Sequence, residues 1–206
     1  MKILVIDNYD SFVYNLVHIL YSLGAEDITV RKNDQIALEE IRAYDKILLS
    51  PGPGVPKDAG IMPALIREFS ETKSILGICL GHQAISEAFG AEIKNLKEPL
   101  HGVSSQLSVL TPDYLFENCP PRFKVGHYHS WVTAEDSLND QLIITSKDER
   151  GYIMSLAHKT FDVRGLQFHP ESVLTENGVQ MLLNWLNYPN NGISQSLAEN
   201  YSFFKS

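Results

Sequence analysis

Three stretches of the chain, residues 2–6, 46–50 and 74–78, are almost unbroken apolar runs: Lys2-Ile3-Leu4-Val5-Ile6, Lys46-Ile47-Leu48-Leu49-Ser50 and Ser74-Ile75-Leu76-Gly77-Ile78. A strand with one wet face alternates apolar and polar side chains. A continuous run demands cover on both faces, which a parallel sheet flanked by helices provides.

The segments between these runs fit that demand. Asp10 and Ser11 can cap a helix that carries Phe12, Val13, Leu16, Val17, Leu20 and Leu23 at helical spacing and stops at Gly24. Residues 27–31 read as a second strand, and residues 35–44 as a short helix. A Pro/Gly-rich loop over 51–60 leads into a helix over 62–71, and residues 81–90 read as the helix after the fourth strand. Repeated strand–helix alternation predicts an α/β fold: a doubly wound, mostly parallel sheet with helices on both faces.

Beyond residue 91 the pattern changes. Residues 106–110, 124–129 and 142–145 are short and alternating, as in antiparallel strands inserted into or beside the main sheet. Residues 162–168 return to strand. Residues 175–186 form a last amphipathic helix with Val179, Leu182, Leu183 and Leu186 on one side. A turn-rich break follows at 187–192. We read residues 1–188 as one domain and 189–206 as a C-terminal extension of unassigned role.

The 206 residues carry a formal net charge of −8, and Lys and Arg are scattered. Phosphate neutralisation needs a cationic patch, so nucleic-acid binding is not expected. No apolar run is long enough to span a bilayer, and residues 1–6 read as a strand, not a signal-peptide core. A soluble, cytoplasmic protein is the expectation. Two cysteines do not make a disulfide framework. Cys119, in Asn118-Cys119-Pro120-Pro121, reads as a small buried hydrophobe.

Cys79 reads differently. In Gly77-Ile78-Cys79-Leu80-Gly81 a nucleophile sits between a buried strand and a helix, with Gly two residues to each side. This is the nucleophile elbow of hydrolases with Cys in place of Ser. It predicts a sulfur pushed into the open at the C-terminal sheet edge, at a helix N-terminus that favours negative charge. The alternative is a structural Cys in a tight turn.

His169-Pro170-Glu171 follows the strand that ends at Phe168. Extended residues two apart face one side, and Pro170 would hold the chain extended. An imidazole near a thiol can take its proton and return it to a leaving amine, and a carboxylate can fix the ring's tautomer. Standing alone, the motif reads first as a surface turn; the strand before it and the Cys elbow that could receive it favour the catalytic reading. Ser50-Pro51-Gly52-Pro53-Gly54-Val55-Pro56 is a stiff loop whose N–H donors are few and bare, suited to a developing oxyanion. His127 and His129 alternate on a strand as metal ligands would, but no third ligand has fitting spacing, so no metal site is expected. His82 is expected to cap or pack at its helix start.

Together these motifs resemble the class I (triad) glutamine amidotransferase domain from residue 1 to about Leu186, and within it the small subunits of anthranilate synthase and aminodeoxychorismate synthase. The residues that carry the likeness are Val5-Ile6-Asp7-Asn8-Tyr9-Asp10-Ser11-Phe12 with Tyr14-Asn15-Leu16, Leu49-Ser50-Pro51-Gly52-Pro53-Gly54, Gly77-Ile78-Cys79-Leu80-Gly81-His82-Gln83, Tyr128-His129-Ser130 and Gln167-Phe168-His169-Pro170-Glu171-Ser172. The resemblance implies a flavodoxin-like sheet order with a small antiparallel insertion.

It also implies roles. Cys79 would be the nucleophile, His169 the base and then acid, and Glu171 its orienting partner. The N–H groups of Gly52 and Leu80 would form the oxyanion hole. Gly52, Pro53, Gly54, Gln83 and the backbone at Ser130 and Trp131 would hold L-glutamine. Ammonia would pass to a chorismate-binding synthase subunit in a heterodimer or heterotetramer. The implied pathway is tryptophan biosynthesis, with folate biosynthesis or both as the alternative. No cofactor is implied in this chain; Mg²⁺ belongs to the partner. Two positions depart from the pattern: Val103, where Lys is usual, and Trp131, where Leu is usual. Readings of other classes are a stand-alone Cys hydrolase of γ-glutamyl substrates or peptides, and a non-catalytic flavodoxin-like binding module.

Overall fold

The computed structural model describes residues 1–188. The extension assigned to 189–206 lies outside the described residues. One nine-stranded sheet organises the molecule. Its parallel half contains β1 (Lys2–Asp7), β2 (Asp27–Lys32), β3 (Lys46–Leu49), β4 (Ser74–Ile78) and β9 (Val163–Leu166). The other half contains β5 (Ile93–Val109), β6 (Arg122–Thr133), β7 (Leu142–Asp148) and β8 (Ile153–His158). The strand order is β2-β1-β3-β4-β9-β8-β7-β5-β6, parallel as far as β9 and antiparallel from β9 onward.

The apolar runs are buried on both faces, as their composition requires. Ile3, Val5, Leu48, Leu76 and Ile78 face a layer that includes Leu16 and Leu20 of α1 (Val13–Ser22) and Met181, Leu182 and Trp185 of α5 (Gly178–Asn187). Their alternates Leu4, Ile6, Ile47, Leu49 and Ile75 face α3 (Met62–Phe69) and α4 (Leu80–Ala88) through Leu65, Ile66, Ala84 and Ile85. Each fully buried Leu or Ile contributes about 1.5–3 kcal/mol of transfer free energy, so the two layers hold the parallel half firmly.

Lys46 is the unusual member of its strand. It is wholly buried, and its ammonium donates to the carbonyls of Trp185 (2.8 Å) and Tyr188 (2.9 Å) at the end of α5. Burial pushes it down to about 8, with Asp162 and Asp45 opposing.

Several local expectations are corrected. Asp10 does not cap α1. Its carboxylate accepts from the N–H of Phe12 (2.7 Å) and shapes the turn before the helix, whose N-cap Phe12 makes no side-chain cap bond. The helix expected over 35–44 shrinks to α2 (Leu38–Ile41): the Gln35 N–H closes a turn onto the Lys32 carbonyl (3.0 Å), and beyond Ile41 the bonds tighten to three-residue turns, Ala43 onto Glu40 (3.2 Å) and Tyr44 onto Ile41 (3.1 Å). The last helix starts at Gly178, not 175: Thr175 Oγ1 is spent on the Gly126 N–H (2.9 Å) and the His169 carbonyl (2.6 Å). Val179, expected on the buried side, is 50% exposed. The antiparallel strands lie where the sequence put them, inserted between β4 and β9 in the chain and continuing the same sheet beside its parallel half. β5 reaches back to Ile93 across register irregularities between Asn95 and Leu100 and between His101 and Val103.

The strand order reverses at β1, with β2 on one side and β3 on the other. Crevices for ligands open at such a switch point, beyond the C-terminal strand ends. The loops after β1, β3, β4 and β9 carry the motifs singled out above.

Candidate active site

Cys79 is the N-cap of α4 with φ 51° and ψ −97°, outside the regions that side chains favour. Its neighbours make that backbone possible. A Cβ on Gly77 would lie 2.5 Å from the carbonyl oxygen of Gly81, and a Cβ on Gly81 would lie 2.5 Å from that of Leu49. Only hydrogen fits at both places. The Cys79 N–H is anchored to the Leu166 carbonyl (2.8 Å), tying the elbow to β9.

The sulfur is not in the open as the motif predicted. Cys79 is 5% exposed and belongs to the core cluster that includes Ile78, Leu166 and Phe168. The elbow does expose a residue relative to its own strand and helix, but side chains from β9 and the following loop cover it. Gln167, wholly buried, points its side-chain nitrogen at Sγ from 3.8 Å.

His169 and Glu171 meet, though not on an extended strand. β9 ends at Leu166, and the Ser172 N–H returns to the His169 carbonyl (3.2 Å) to close a turn. Pro170 takes the second position of that turn, where its fixed φ is favourable. The turn brings His169 Nδ1 within 2.6 Å of Glu171 Oε1, with side-chain exposures of 3% and 0%.

Nε2 is therefore the nitrogen left for the sulfur. It is buried without a partner of good hydrogen-bond geometry, so the thiol–imidazole bond is not fully closed at rest. The ring still senses both neighbours. Burial pushes its pKa down, but the adjacent Cys79 and then Glu171 outweigh that and hold it up, at about 10. Phe12 and Tyr128 pack edge-on against the imidazole, with centroids 6.0 Å and 5.0 Å away, and shield it from water.

The loop after β3 lies beside the elbow. A Cβ on Gly52 would fall 2.5 Å from Cβ of Asn8 and 2.9 Å from Cδ2 of Leu80, so Gly52 and Leu80 are brought together as expected. Pro53 and Gly54 are exposed; Pro53 lines a cleft with Asn8, Tyr9, Asn33 and Leu80 that none of Cys79, His169 and Glu171 lines. Gly54 has φ 81°, which favours glycine.

Gln83 is 3% exposed and donates to the Trp131 carbonyl (3.0 Å), so Gln83 and the 130–131 backbone share one place. With its amide oriented to satisfy both groups, Asn95 accepts from the Trp131 indole (3.1 Å), which gives the unusual Trp a fixed seat on β5.

Two residues were missed by the sequence reading. Asn8 locks the loop after β3: its N–H meets Ser50 Oγ and its side-chain nitrogen meets the Ser50 carbonyl, both at 2.9 Å. Gln167 contacts the nucleophile. A polar side chain inside an otherwise strand-like run, two residues before His169, was the available signal for it.

His127, His129 and His82 are structural in their bonding. His127 Nε2 meets Ser105 Oγ (2.6 Å), His129 Nε2 meets His127 Nδ1 (3.2 Å), and His82 Nε2 meets Thr133 Oγ1 (3.2 Å). Burial, first among the causes, pushes them down to about 4, 3 and 4 for His127, His129 and His82. Among the described residues no three His, Cys, Asp or Glu side chains gather to hold a metal ion, and no helix is long and apolar enough to cross a membrane.

Comparison with known proteins agrees with this geometry. The profile of the family Glutamine amidotransferase class-I matches residues 4–187. Aminodeoxychorismate synthase component 2 of Klebsiella aerogenes is 45% identical over 187 residues, 90% of this chain and 99% of that protein. Anthranilate synthase component 2 of Pseudomonas aeruginosa is 41% identical over 191 residues, 89% of this chain and 94% of that protein. A solved glutamine amidotransferase from Thermotoga maritima shares the fold, with a TM-score of 0.77 at 15% identity over 90% of this chain and 96% of that one. An elbow cysteine, an imidazole and a carboxylate at the C-terminal edge of such a sheet, within a sequence this similar, place the chain in the class I glutamine amidotransferase family.

Proposed function

We propose that the chain hydrolyses L-glutamine to glutamate and delivers the ammonia to a chorismate-using synthase subunit. The observation that carries this reading is the 2.6 Å bond between His169 Nδ1 and Glu171, which leaves Nε2 as the nitrogen beside the Cys79 sulfur.

In this mechanism Sγ attacks the side-chain amide carbon of glutamine, and the thiol proton resides on His169. The backbone N–H groups of Gly52 and Leu80 stabilise the oxyanion; one such donor is typically worth about 10²–10³ in rate. The C–N bond breaks as His169 gives its proton to the leaving ammonia, and a glutamyl thioester remains. Water then attacks the thioester, His169 takes the water's proton, and glutamate leaves as Sγ is regenerated. Glu171 keeps Nδ1 protonated and its charge stabilises the imidazolium. Gln83, the 130–131 backbone and the Gly52–Pro53–Gly54 loop hold the glutamine head group.

The partner we propose first is the anthranilate synthase large subunit, with Mg²⁺ and the chorismate chemistry in that partner, in the cytoplasm. The aminodeoxychorismate synthase subunit is a second reading, favoured by the 45% identity to a protein of that name. Co-purification of the synthase followed by product analysis decides between them. Cys79→Ala should abolish glutamine-dependent synthesis by the complex and leave ammonia-dependent synthesis intact. Loss of both would assign Cys79 to assembly. Strong activity of the lone chain on γ-glutamyl peptides would overturn the synthase reading.

A further inference from the structure

We propose that Gln167 is the hydrogen-bond donor that holds the nucleophilic sulfur of Cys79, an assignment that rests on the glutaminase reading above. The direction of the bond follows from a chain of partners. The Trp131 carbonyl can only accept, so the Gln83 atom 3.0 Å from it is the amide nitrogen. That same nitrogen lies 3.4 Å from Gln167, which must present its oxygen there. The other end of the Gln167 amide, 3.8 Å from Sγ, is therefore its nitrogen, and it donates. An amide whose two ends look alike to diffraction is thus fixed by a backbone carbonyl two links away.

The environment gives this contact weight. Gln167 is wholly buried and Cys79 nearly so. Few solvent molecules can reach the sulfur to stabilise negative charge, and a donor held there substitutes for them. The separation of 3.8 Å is long, as catalytic bonds often are before substrate binds. The chain also joins Gln83, a residue expected to hold substrate, to the nucleophile. Rotation of Gln83 toward glutamine would release the oxygen of Gln167.

The test is alkylation of the full-length protein by iodoacetamide across pH, with the Cys79 peptide followed by mass spectrometry. Cys119, whose thiol burial pushes up to about 11, serves as the internal reference. In Gln167→Leu the pH midpoint of Cys79 alkylation should rise by about one unit, the effect of losing one donor to a charged group. Glutaminase kcat of the synthase complex should fall about tenfold, with KM little changed. Gln167→Met keeps the length and removes the donor without adding charge, so its midpoint should rise by a similar amount; it carries the test if the Leu variant does not fold. Unchanged Cys79 profiles in the folded variants overturn the proposal. A wild-type complex that releases no glutamate, while the alkylation shift persists, sinks the glutaminase reading and leaves the Gln167–Cys79 bond standing.

Discussion

Glu171→Gln removes a charge while leaving an oxygen in place to accept from His169 Nδ1. In the native site that bond is 2.6 Å long and both side chains are closed to water. A hydrogen bond to a charged group contributes about 1.5–3 kcal/mol and a neutral one about 1 kcal/mol, so the substitution forfeits roughly 1–1.5 kcal/mol of preference for the imidazolium. That corresponds to about one unit of pKa. His169, held up by Cys79 and Glu171 against burial, should titrate about one unit lower, as read by NMR of the labelled imidazole. Steps in which the ring carries a proton should slow about tenfold or more, measured as glutaminase kcat of the synthase complex.

Stability should fall with activity, by about 1 kcal/mol near neutral pH, because the folded state loses preference for the imidazolium and the amide nitrogen that replaces the partnerless Glu171 Oε2 is buried unsatisfied. The linkage has a definite sign. His169 has a folded pKa above its unfolded value of about 6.5. Its contribution is complete below about 6.5 and is lost as pH climbs toward about 10. In Glu171→Gln that alkaline loss should finish about one unit earlier. A variant with native kcat and an unmoved His169 titration refutes the argument, because it would mean that the carboxylate is a spectator.

Other perturbations separate fold from chemistry. His82, His127 and His129 have folded pKa values of about 4, 4 and 3, below the unfolded value, so the unfolded chain binds more protons beneath pH of about 6.5. Stability should therefore fall as pH drops through that window, by up to ~1.4 kcal/mol per pH unit for each histidine; urea midpoints that stay flat there contradict the burial argument. A Cβ on Gly178 would sit on the Pro170 carbonyl. Gly178→Ala should displace the turn that joins His169 to Glu171 and lower glutaminase about 100-fold, as about 1 Å of misplacement does, while ammonia-dependent synthesis by the complex stays near wild type.

The parallel half of the sheet was legible because its strands are buried on both faces, and that forces composition. Ile3 to Ile6 could hardly be anything else. The antiparallel half carries weaker marks. β8, Ile153–His158, is buried at every position yet includes Ser155, Ala157 and His158, so no apolar alternation announces it. β5 passes through Pro99 and Gly102, both of which argue against a strand, at the places where its register slips. The triad was legible as residue types, and its chain geometry was not. Whether His169 and Glu171 meet along a strand or around a turn depends on a bond from the Ser172 N–H, which no periodicity encodes. The exposure of Cys79 was misjudged for a related reason: the elbow is a local motif, while the cover over it comes from Gln167 and Phe168, nearly ninety residues away along the chain.

That cover has a physical consequence for how the site holds together. Cys79 adopts a backbone conformation that costs of order 1–3 kcal/mol. Locally the Cys79 carbonyl accepts from the Gln83 N–H (3.0 Å) as the helix begins. The opposing contributions from outside the elbow are the Cys79 N–H on the Leu166 carbonyl (2.8 Å), Gly81 admitting the close approach of Leu49, and the packing of β4 between β3 and β9. The strained elbow is thus tied to β9, and β9 is followed closely by the turn carrying His169 and Glu171. Docking of β9 beside β4 therefore supports the nucleophile's backbone and places the base's turn at once, so a substitution that loosens the β4–β9 seam should lower glutaminase activity through both partners together.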